Sequence, residues 1–264
     1  MTFTIVLPTY REPELALHTL QTILQQRGVG YNVIVCDDTP DDSVRRKVDA
    51  LADSRVRYIS NESHLGAVPN WNNGLREAQK MSSDAIIIMH HDDAFAADNA
   101  LLSIAQTMEQ TGADIVVSTA EVERSRGTRY RVSPSAIRRF TMRHPAALFL
   151  YNTIGPCAAI AFRPQCLQYF DERLHWFVDV EWYFRLLSSE GKNVANNTVA
   201  IRSAHGHEGQ ITASLNVCTA AKADATILAS LPYITHAAHF AVWCFIYILH
   251  NTAINRVVKF LLSR

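Results

Sequence analysis

The sequence predicts an α/β protein with a mainly parallel central sheet, and three observations support that prediction. Short apolar, β-branched segments alternate with segments of helical periodicity along the first half of the chain, which is typical of βαβ units. Residues 85–89 are apolar throughout, as in a strand buried on both faces of a parallel sheet. Hydrophobic residues make up 48% of the 264 residues, which is enough for a sizeable core.

The elements of this sheet are predicted in chain order. Residues 3–7 form a first strand that ends at Pro8, and Pro13 lies near the start of a helix over residues 14–26. Further strands are predicted at residues 31–36, 56–59, 85–89, 114–118, 158–162 and 198–202. Further helices are predicted at residues 44–51, 70–80 and 99–110.

The charge and cysteine content argue against several classes of protein. Lys and Arg together number 25, as do Asp and Glu, so the charge balance does not predict nucleic-acid binding. No two cysteines have CxxC spacing, which argues against a zinc ribbon or disulfide framework and favours a reducing, cytoplasmic compartment. The first eight residues lack the basic and apolar regions of a signal peptide. The five cysteines are Cys36, Cys157, Cys166, Cys218 and Cys244.

The sequence contains no glycine-rich phosphate-binding motif. Gly28 and Gly30 lack a third glycine and precede a predicted strand instead of following one, so they are not a dinucleotide-binding fingerprint. The GxxxxGK[ST] pattern of a phosphate-binding loop is also absent. A bound nucleotide is therefore expected to be held by carboxylates and a metal ion.

Two pairs of aspartates directly follow predicted strands, Asp37 with Asp38 and Asp92 with Asp93. Because ligands of open α/β sheets bind beyond the carboxyl ends of the strands, both pairs are expected at one edge of the sheet. The first pair can accept a hydrogen bond from a nucleobase N–H. The second suits a cation such as Mg²⁺, which binds one or two carboxylates and substrate phosphates. The alternative for the second pair is a loop start or a helix cap.

Three segments taken together resemble the inverting family 2 glycosyltransferases of the GT-A fold. They are residues 6–12 (VLPTYRE), 35–43 (VCDDTPDDS) and 91–93 (HDD), and their spacing matches the family as well as their content. The resemblance extends over about residues 3–215. It implies a GT-A domain at residues 1–215, a Rossmann-like sheet flanked by helices. Residues 1–120 would bind the nucleotide sugar, residues 121–215 would hold the acceptor and the catalytic base, and residues 216–264 would form a helical appendage.

The resemblance also implies which residues bind the nucleotide and the metal ion. The Asp-x-Asp motif of the family corresponds to residues 91–93, with His91 in place of the first Asp. Asp93 would then bind Mn²⁺ or Mg²⁺, and Asp92 would contact the ribose or a metal-bound water. Asn70 corresponds to a family position near the nucleotide, and a helix N-cap is its alternative role. The other implied nucleotide-binding residues are Pro8, Thr9, Tyr10, Glu12 and Asp38.

Two residues of the second half complete the implied site. Asp179 corresponds to the family's catalytic base at a helix start, since an inverting transfer needs a group that takes the proton of the acceptor hydroxyl. Glu181 lies about 200° further round that helix and is expected to be solvent-facing or ion-paired. His207 begins a His-x-x-Gln-x-Thr pattern that resembles a family segment closing over the diphosphate. It is therefore a candidate ligand of metal or phosphate, and a loop histidine is the alternative.

The C-terminal segment, residues 216–264, differs in character from the rest. Residues 240–249 have no polar break but fall short of the roughly 20 apolar residues that span a bilayer. Basic residues then alternate with apolar ones, which is typical of a helix lying on a membrane surface. The alternative is a helix hairpin packed on the domain or on a second subunit of a homodimer. The basic residues are Arg256, Lys259 and Arg264.

The resulting hypothesis is a metal-dependent inverting glycosyltransferase, located in the cytoplasm or on the inner face of the cytoplasmic membrane. The resemblance and the tail together suggest transfer from a UDP- or dTDP-sugar to a saccharide or lipid-linked saccharide in bacterial surface-polysaccharide assembly. One alternative is a sugar nucleotidyltransferase, against which the lack of a glycine-rich N-terminal phosphate loop counts. The other is a non-catalytic scaffold that binds a nucleotide sugar.

Overall fold

A computed structural model describes residues 1–124, 129–205 and 215–250. The chain divides into two compact units. We call the first the sheet unit, which comprises Met1–Val132, Ile154–Tyr169 and Glu190–Gly209. We call the second the helical unit, which comprises Ser133–Thr153, Phe170–Ser189 and Gln210–Arg264. The predicted division at residue 215 remains a prediction.

The sheet unit contains every strand of the described residues and four of their helices. The strands are β1 (Thr2–Thr9), β2 (Gly30–Asp37), β3 (Val56–Ser60), β4 (Ala85–Ile88), β5 (Asp93–Phe95), β6 (Ile115–Arg124), β7 (Arg129–Arg131), β8 (Ile160–Phe162) and β9 (Val194–His205). The helices are α1 (Pro13–Leu24), α2 (Ser43–Asp49), α3 (Ala67–Gln79) and α4 (Ala100–Thr111). Each predicted strand and helix of the first 120 residues is confirmed, within a few residues at its ends.

The strand order is β3-β2-β1-β4-β8-β6-β9-β5, with β7 paired to β6. Strands β3, β2, β1 and β4 are all parallel, and β8 joins them antiparallel to β4. The predicted α/β architecture is therefore confirmed. Because β2 and β4 flank β1 on either side, the residues that follow these two strands meet at one edge of the sheet, as the sequence predicts.

The core of the sheet unit explains why these segments form strands and helices. Alternate residues of β1 and β2 face the same layer of helices, and apolar positions of α1 and α4 cover that layer. The fully buried members include Phe3, Ile5, Leu7, Val33, Val35, Leu20, Ile23, Leu101, Ile104 and Met108. Burial on both faces accounts for the continuous apolar run of β4.

Strand β1 continues through Pro8, where the sequence analysis predicts its end. The carbonyl of Val6 accepts a hydrogen bond from Met89 on the β4 side, whereas the carbonyl of Thr9 accepts one from Asp38 on the β2 side. Backbone groups alternate in direction along a strand, so Pro8 faces the β4 side beyond the end of β4. The missing N–H of Pro8 therefore costs no sheet hydrogen bond.

The backbone decides two of the alternatives. Asp92 lies in a turn, so the loop alternative holds for Asp92, whereas Asp93 opens β5, which pairs with β9 through Ser203, and neither residue caps a helix. The alternative that Asn70 caps α3 fails because the helix begins at Ala67, after Gly66 at φ 87°. Proline is tolerated in the first turn of a helix, so Pro69 does not delay the start of α3.

The helical unit contains α5 (Ser135–Arg143), a 3₁₀ segment at Pro145–Phe149, α6 (Val178–Ser188), α7 (Val217–Ala229) and α8 (His236–His250). Helix α8 packs against α7 and the 3₁₀ segment. The buried face of α8 carries Ala238, Ala241, Val242 and Ile246. In the described part of the chain, no helix combines the length and hydropathy needed to cross a membrane.

Candidate active site

The loop after β1 adopts a strained backbone. Arg11 and Glu12 have φ values of 55° and 50°, in the left-handed region that side chains other than glycine rarely adopt. The N–H of Arg11 donates to the Thr39 hydroxyl at 2.6 Å, which helps to hold this conformation. The loop leaves Tyr10 36% exposed at the sheet edge. Strained conformations of this kind persist only where the surrounding structure maintains them, and they are concentrated at ligand sites.

Asp37 is fully buried at the end of β2 and has a complete set of partners. Its Oδ1 accepts hydrogen bonds from the Thr9 hydroxyl at 2.9 Å and the Thr39 N–H at 3.0 Å. Its Oδ2 accepts one from the Tyr58 hydroxyl at 2.5 Å. These bonds connect the end of β1 and the residues after β2 with β3. Asp37 therefore stabilises the sheet edge at which a ligand would bind.

Asp38 organises the loop that leads into α3. Its Oδ1 accepts hydrogen bonds from Asn61 Nδ2 at 2.9 Å and the Leu65 N–H at 2.8 Å. Its Oδ2 accepts one from the Gly66 N–H at 2.9 Å and lies 2.7 Å from His64 Nδ1. These contacts place the half-exposed His64 ring 4.8 Å from the Tyr10 ring, measured between centroids. Asp38 therefore fixes the shape of the exposed aromatic pair.

The predicted nucleotide-binding residues of the first half all lie at this sheet edge, but at different depths. Asn70 is buried, and its Nδ2 donates to the carbonyls of Thr9 and Cys36 at 3.3 and 3.0 Å. Pro8 and Thr9 are also buried, so these three residues support the surface from below. Tyr10 is exposed and Glu12 is partly exposed, which leaves their side chains accessible from solvent.

The turn between β4 and β5 gathers three potential metal ligands, His90, Asp92 and Asp93. Each offers one ligand atom, and these atoms lie within 4.8 Å of one another. The turn closes because the N–H of Asp93 donates to the His90 carbonyl at 3.0 Å. The Thr19 hydroxyl also holds it from α1, since it contacts the Asp93 carbonyl oxygen at 2.7 Å.

The chemistry of this cluster, in which Asp93 is buried and His90 and Asp92 are partly exposed, suits a divalent cation. Oδ1 of Asp93 is buried and accepts no hydrogen bond of good geometry, although the Ser203 hydroxyl lies close enough to lower the pKa of the carboxyl. Burial first, and the Asp92 charge second, raise the pKa of Asp93 well above its usual range. Burial lowers the pKa of His90 to about 4, which keeps the imidazole in the neutral form that binds metals. Carboxylate and imidazole donors fit Mn²⁺, and the carboxylates also fit Mg²⁺.

His91 stands where the family motif has its first Asp, whereas the cluster found in the described residues contains His90, which the sequence did not single out. The physical reason is the turn. In an extended strand His91 and Asp93 would share a face, but a turn brings residues three apart together, here His90 and Asp93. The signal that a turn follows β4 is the change from apolar to polar residues after Met89.

In the helical unit, Asp179 lies in the first turn of α6, as predicted. Its Oδ1 accepts a hydrogen bond from the Val180 N–H, and its Oδ2 accepts one from Asn152 Nδ2, both at 2.9 Å. Burial raises the pKa of Asp179 to about 6, and the hydrogen bonds only partly oppose this effect. The carboxylate can thus exchange a proton near neutral pH. Nothing in the sequence pointed to Asn152 as its partner.

Glu181 is fully buried and ion-paired. Its Oε2 accepts a hydrogen bond from Arg185 Nη2 at 2.9 Å, and its Oε1 accepts one from the Tyr233 hydroxyl at 2.8 Å. The ion-paired alternative is therefore confirmed, and the solvent-facing one is wrong. The predicted ligand His207 and the rest of its pattern lie outside the described residues, as do the three basic residues of the C-terminal end.

Sequence comparisons relate the chain to a known family. The model of glycosyl transferase family 2 matches residues 4–173. A β-1,3-glucosyltransferase of Escherichia coli, WfgD, named as acting from UDP-Glc on α-D-GlcNAc-diphosphoundecaprenol, is 28% identical over 105 residues. That match covers 40% of each chain. An uncharacterized glycosyltransferase of Bacillus subtilis, YwdF, is 28% identical over 190 residues, covering 70% of this chain and 68% of the relative.

Solved structures share the fold at low sequence identity. Residues 1–349 of TarS of S. aureus, in complex with UDP-GlcNAc, superpose with a TM-score of 0.67 at 14% identity, covering 96% of this chain and 74% of that TarS chain. The mannosyltransferase PcManGT of Pyrobaculum calidifontis, in complex with GDP-Man and Mn²⁺, gives a TM-score of 0.64 at 15% identity. That superposition covers 93% of this chain and 69% of PcManGT. The predicted fold class is confirmed.

Proposed function

Because the chain belongs to glycosyl transferase family 2, we propose that it is a metal-dependent inverting enzyme that transfers a sugar from a UDP- or dTDP-sugar to a hydroxyl group. The observation that carries the proposal is the cluster of His90, Asp92 and Asp93, whose buried Asp93 Oδ1 lacks a partner of good geometry. This cluster follows β4 at the same sheet edge as the exposed Tyr10. One edge of the sheet thus offers an aromatic ring for a base and ligands for a cation.

The choice of donor is supported by the relatives. The name of WfgD states a UDP-Glc donor, and TarS is solved with UDP-GlcNAc. PcManGT is solved with GDP-Man, so the fold itself does not select the base. We infer a pyrimidine nucleotide for this chain. Tyr10 would stack on the base, with Glu12 beside the ribose. Asp38 would accept the base N–H in exchange for its present contact with the half-exposed His64.

In the proposed reaction, the acceptor hydroxyl oxygen attacks the anomeric carbon of the donor from the face opposite the diphosphate. The new glycosidic bond forms as the bond from the anomeric carbon to the phosphate oxygen breaks. Asp179 takes the hydroxyl proton, for which a pKa of about 6 leaves the carboxylate mostly ionised at neutral pH. Asn152 holds Oδ2 and so orients the other oxygen. A cation held by Asp93, His90 and Asp92 would neutralise charge on the departing diphosphate.

The acceptor is proposed to be a saccharide or lipid-linked saccharide of polysaccharide biosynthesis, because WfgD is named for a diphosphoundecaprenol acceptor. Helix α8 supports contact with a membrane surface. Phe240, Trp243 and Tyr247 are 72%, 61% and 62% exposed and recur with helical spacing, and such aromatic residues favour the membrane interface. Sedimentation with anionic vesicles tests this contact. Trp243→Ser should weaken it, and equal sedimentation of the two proteins would contradict it.

Nucleotide binding is the first test of the proposed function. We expect UDP or dTDP to raise the melting temperature in the presence of Mn²⁺, because a ligand that binds only the folded state stabilises it by mass action. GDP and CMP serve as controls for the base, and each nucleotide without Mn²⁺ serves as the control for the metal. A shift with GDP alone would overturn the proposed donor. No shift with any nucleotide would contradict the proposed nucleotide site, whereas a metal-dependent shift with no turnover on any acceptor would favour the scaffold alternative.

Catalysis needs a separate test, which Asp179→Asn supplies. We expect this variant to lose transfer, because an amide cannot take the hydroxyl proton. It should still show the metal-dependent shift with UDP, because the nucleotide residues are unchanged. The matched control is Asp49→Asn, which makes the same chemical change at an exposed residue of α2. Full turnover in Asp179→Asn would remove the assignment of the base.

A further inference from the structure

Asp224 of α7 is a buried carboxylate with unusually many backbone donors. It has no exposed surface, and its Oδ2 accepts hydrogen bonds from the N–H groups of Trp176 at 2.7 Å and Phe177 at 2.9 Å. The N–H of His175 lies 3.0 Å from Oδ1. The three donors are consecutive and come directly before α6, which begins at Val178. One side chain of α7 therefore binds the backbone of all three residues that directly precede α6.

This contact holds the backbone that enters α6. The first N–H groups of a helix lack intrahelical partners and need other acceptors. The N-cap residue of α6 is Phe177, which makes no side-chain cap hydrogen bond. Asp224, which lies 47 residues further along the chain than Phe177, binds the N–H of this N-cap residue. Its negative charge also faces the positive end of the helix dipole.

A second contact from the same part of the chain reaches the same helix. Tyr233 follows α7, and its hydroxyl donates to Glu181 Oε1 at 2.8 Å. Glu181 in turn binds Arg185 one helical turn later. Two independent hydrogen-bonded contacts therefore fix α6, one at its start and one along its length. Asp179 lies between the two points of attachment.

We propose that Asp224 is a positioning residue that holds the start of α6 so that the Asp179 carboxylate stays in its catalytic orientation, with Tyr233 as the second contact. This inference rests on the proposed role of Asp179 as the base. The hydrogen bond between Asn152 and Asp179 at 2.9 Å leaves little tolerance for movement. If the helix start unwound by one residue, Asp179 would rotate by about 100° about the helix axis.

The consequence reaches beyond one side chain. Segment 217–250 contributes the carboxylate that holds the start of the helix that carries the proposed base, although the sequence suggests an appendage. The three N–H groups would also be left without an acceptor if Asp224 were removed, which is costly for buried donors.

The test compares Asp224→Asn with wild type and with Asp49→Asn, the same change at an exposed site. The asparagine keeps one oxygen but turns an N–H₂ group toward N–H donors. We expect kcat to fall roughly 10²-fold, because misplacement of a catalytic group by about 1 Å has that effect. The donor KM should remain close to that of wild type, because the nucleotide residues belong to the sheet unit. A purely structural defect would lower the amount of folded protein without this division between kcat and KM.

Two further measurements do not depend on turnover. Amide hydrogen exchange at residues 175–177 should become roughly tenfold faster in Asp224→Asn, because charged hydrogen bonds are lost. The pKa of Asp179, followed by carboxyl ¹³C NMR, should fall from about 6 toward its ordinary value as the helix start becomes hydrated. If wild type transfers no sugar, the proposed function fails, while these two measurements still decide whether Asp224 positions Asp179.

Tyr233→Phe is a second variant that tests the proposal if Asp224→Asn does not fold. It removes only the hydroxyl that binds Glu181 and should lower kcat by roughly fivefold, as expected for one lost hydrogen bond. Unchanged kcat and unchanged amide exchange in the folded variants would overturn the proposal. Asp224→Glu provides a rescue, because it keeps both acceptor oxygens. Its kcat should lie between those of Asp224→Asn and wild type, and a kcat no better than that of Asp224→Asn would count against positioning by the carboxylate.

Discussion

The two aspartate pairs at the sheet edge look alike in sequence but differ in the hydrogen bonds that their carboxylates accept. Asp37 and Asp38 accept hydrogen bonds from hydroxyl, amide and backbone donors on both oxygens of each carboxylate. Asp93 accepts one from the His90 N–H at 3.2 Å through Oδ2, and its buried Oδ1 accepts none of good geometry. The first pair is used by the protein itself, whereas Asp93 of the second pair retains capacity for a ligand.

This difference separates two roles that a count of carboxylates cannot distinguish. A buried charge with a complete set of hydrogen bonds stabilises the local structure, and removing it leaves donors unsatisfied. A buried charge with an unused oxygen weakens the fold unless it binds something. Substitutions at the two pairs should therefore affect opposite properties. At the first pair stability should fall most, and at the second pair activity should fall most.

The largest effect is expected for Asp93→Asn. Transfer activity should fall on the order of 10³-fold, since a metal ion contributes several kcal/mol to stabilising transition-state charge. The melting temperature should stay the same or rise. The raised pKa of Asp93 means that the folded state disfavours its charged form at neutral pH, and asparagine removes that penalty. A large drop in melting temperature with activity retained would reverse the comparison between the two pairs.

The next effect is expected for Asp37→Asn, the same change at the other pair. The free energy of unfolding should fall by about 1–3 kcal/mol, because an amide cannot satisfy all three donors that now bind the carboxylate. Denaturant titration measures this change. Turnover at saturating donor should change far less than in Asp93→Asn. If Asp37→Asn were as stable as wild type, the hydrogen bonds to Asp37 would not be structural.

Asp179 is intermediate between Asp37 and Asp93, because it accepts hydrogen bonds and still has a raised pKa. This raised pKa predicts that kcat depends on pH. Asp179 accepts two hydrogen bonds that lower its pKa, but burial dominates and raises the pKa to about 6. The base works when it is ionised, so kcat should rise with pH through about 6 and be roughly tenfold below its plateau at pH 5. Asn152→Ala removes one of the lowering hydrogen bonds and should move this rise to higher pH. A rise that stays in place would show that another group titrates.

The sheet and the carboxylates could be predicted from the sequence, but not all of the residues that contact the carboxylates. The succession of strands and helices along the chain and the location of Asp38 and Asp93 depend on local patterns, namely apolar runs followed by polar residues, so they were predictable. His90 was missed because its approach to Asp93 depends on the turn after β4. Asn152 and Asp224 were missed because their contacts with α6 join segments far apart in the chain, and no local pattern encodes them.

The same limit explains why the roles of the two pairs could not be told apart in advance. The sequence places two acidic residues after β2 and after β4 alike. Which oxygens remain free depends on Thr39, Tyr58 and the loop from Asn61 to Gly66. Apart from Thr39, which lies two residues after Asp37, these donors are brought in by tertiary packing, which a single sequence does not reveal.

The smallest effect, and the finest test of the comparison, is expected for Tyr58→Phe. The hydroxyl of this half-buried tyrosine donates to Asp37 Oδ2, and burial together with that hydrogen bond raises the pKa of Tyr58, so it stays protonated. Loss of the Tyr58 hydroxyl should lower the free energy of unfolding by about 1 kcal/mol, because Oδ1 of Asp37 keeps its two donors. The control is Tyr169→Phe, which removes an exposed hydrogen bond to Gln79. Equal stability losses in the two variants would mean that burial of the Asp37 network adds nothing.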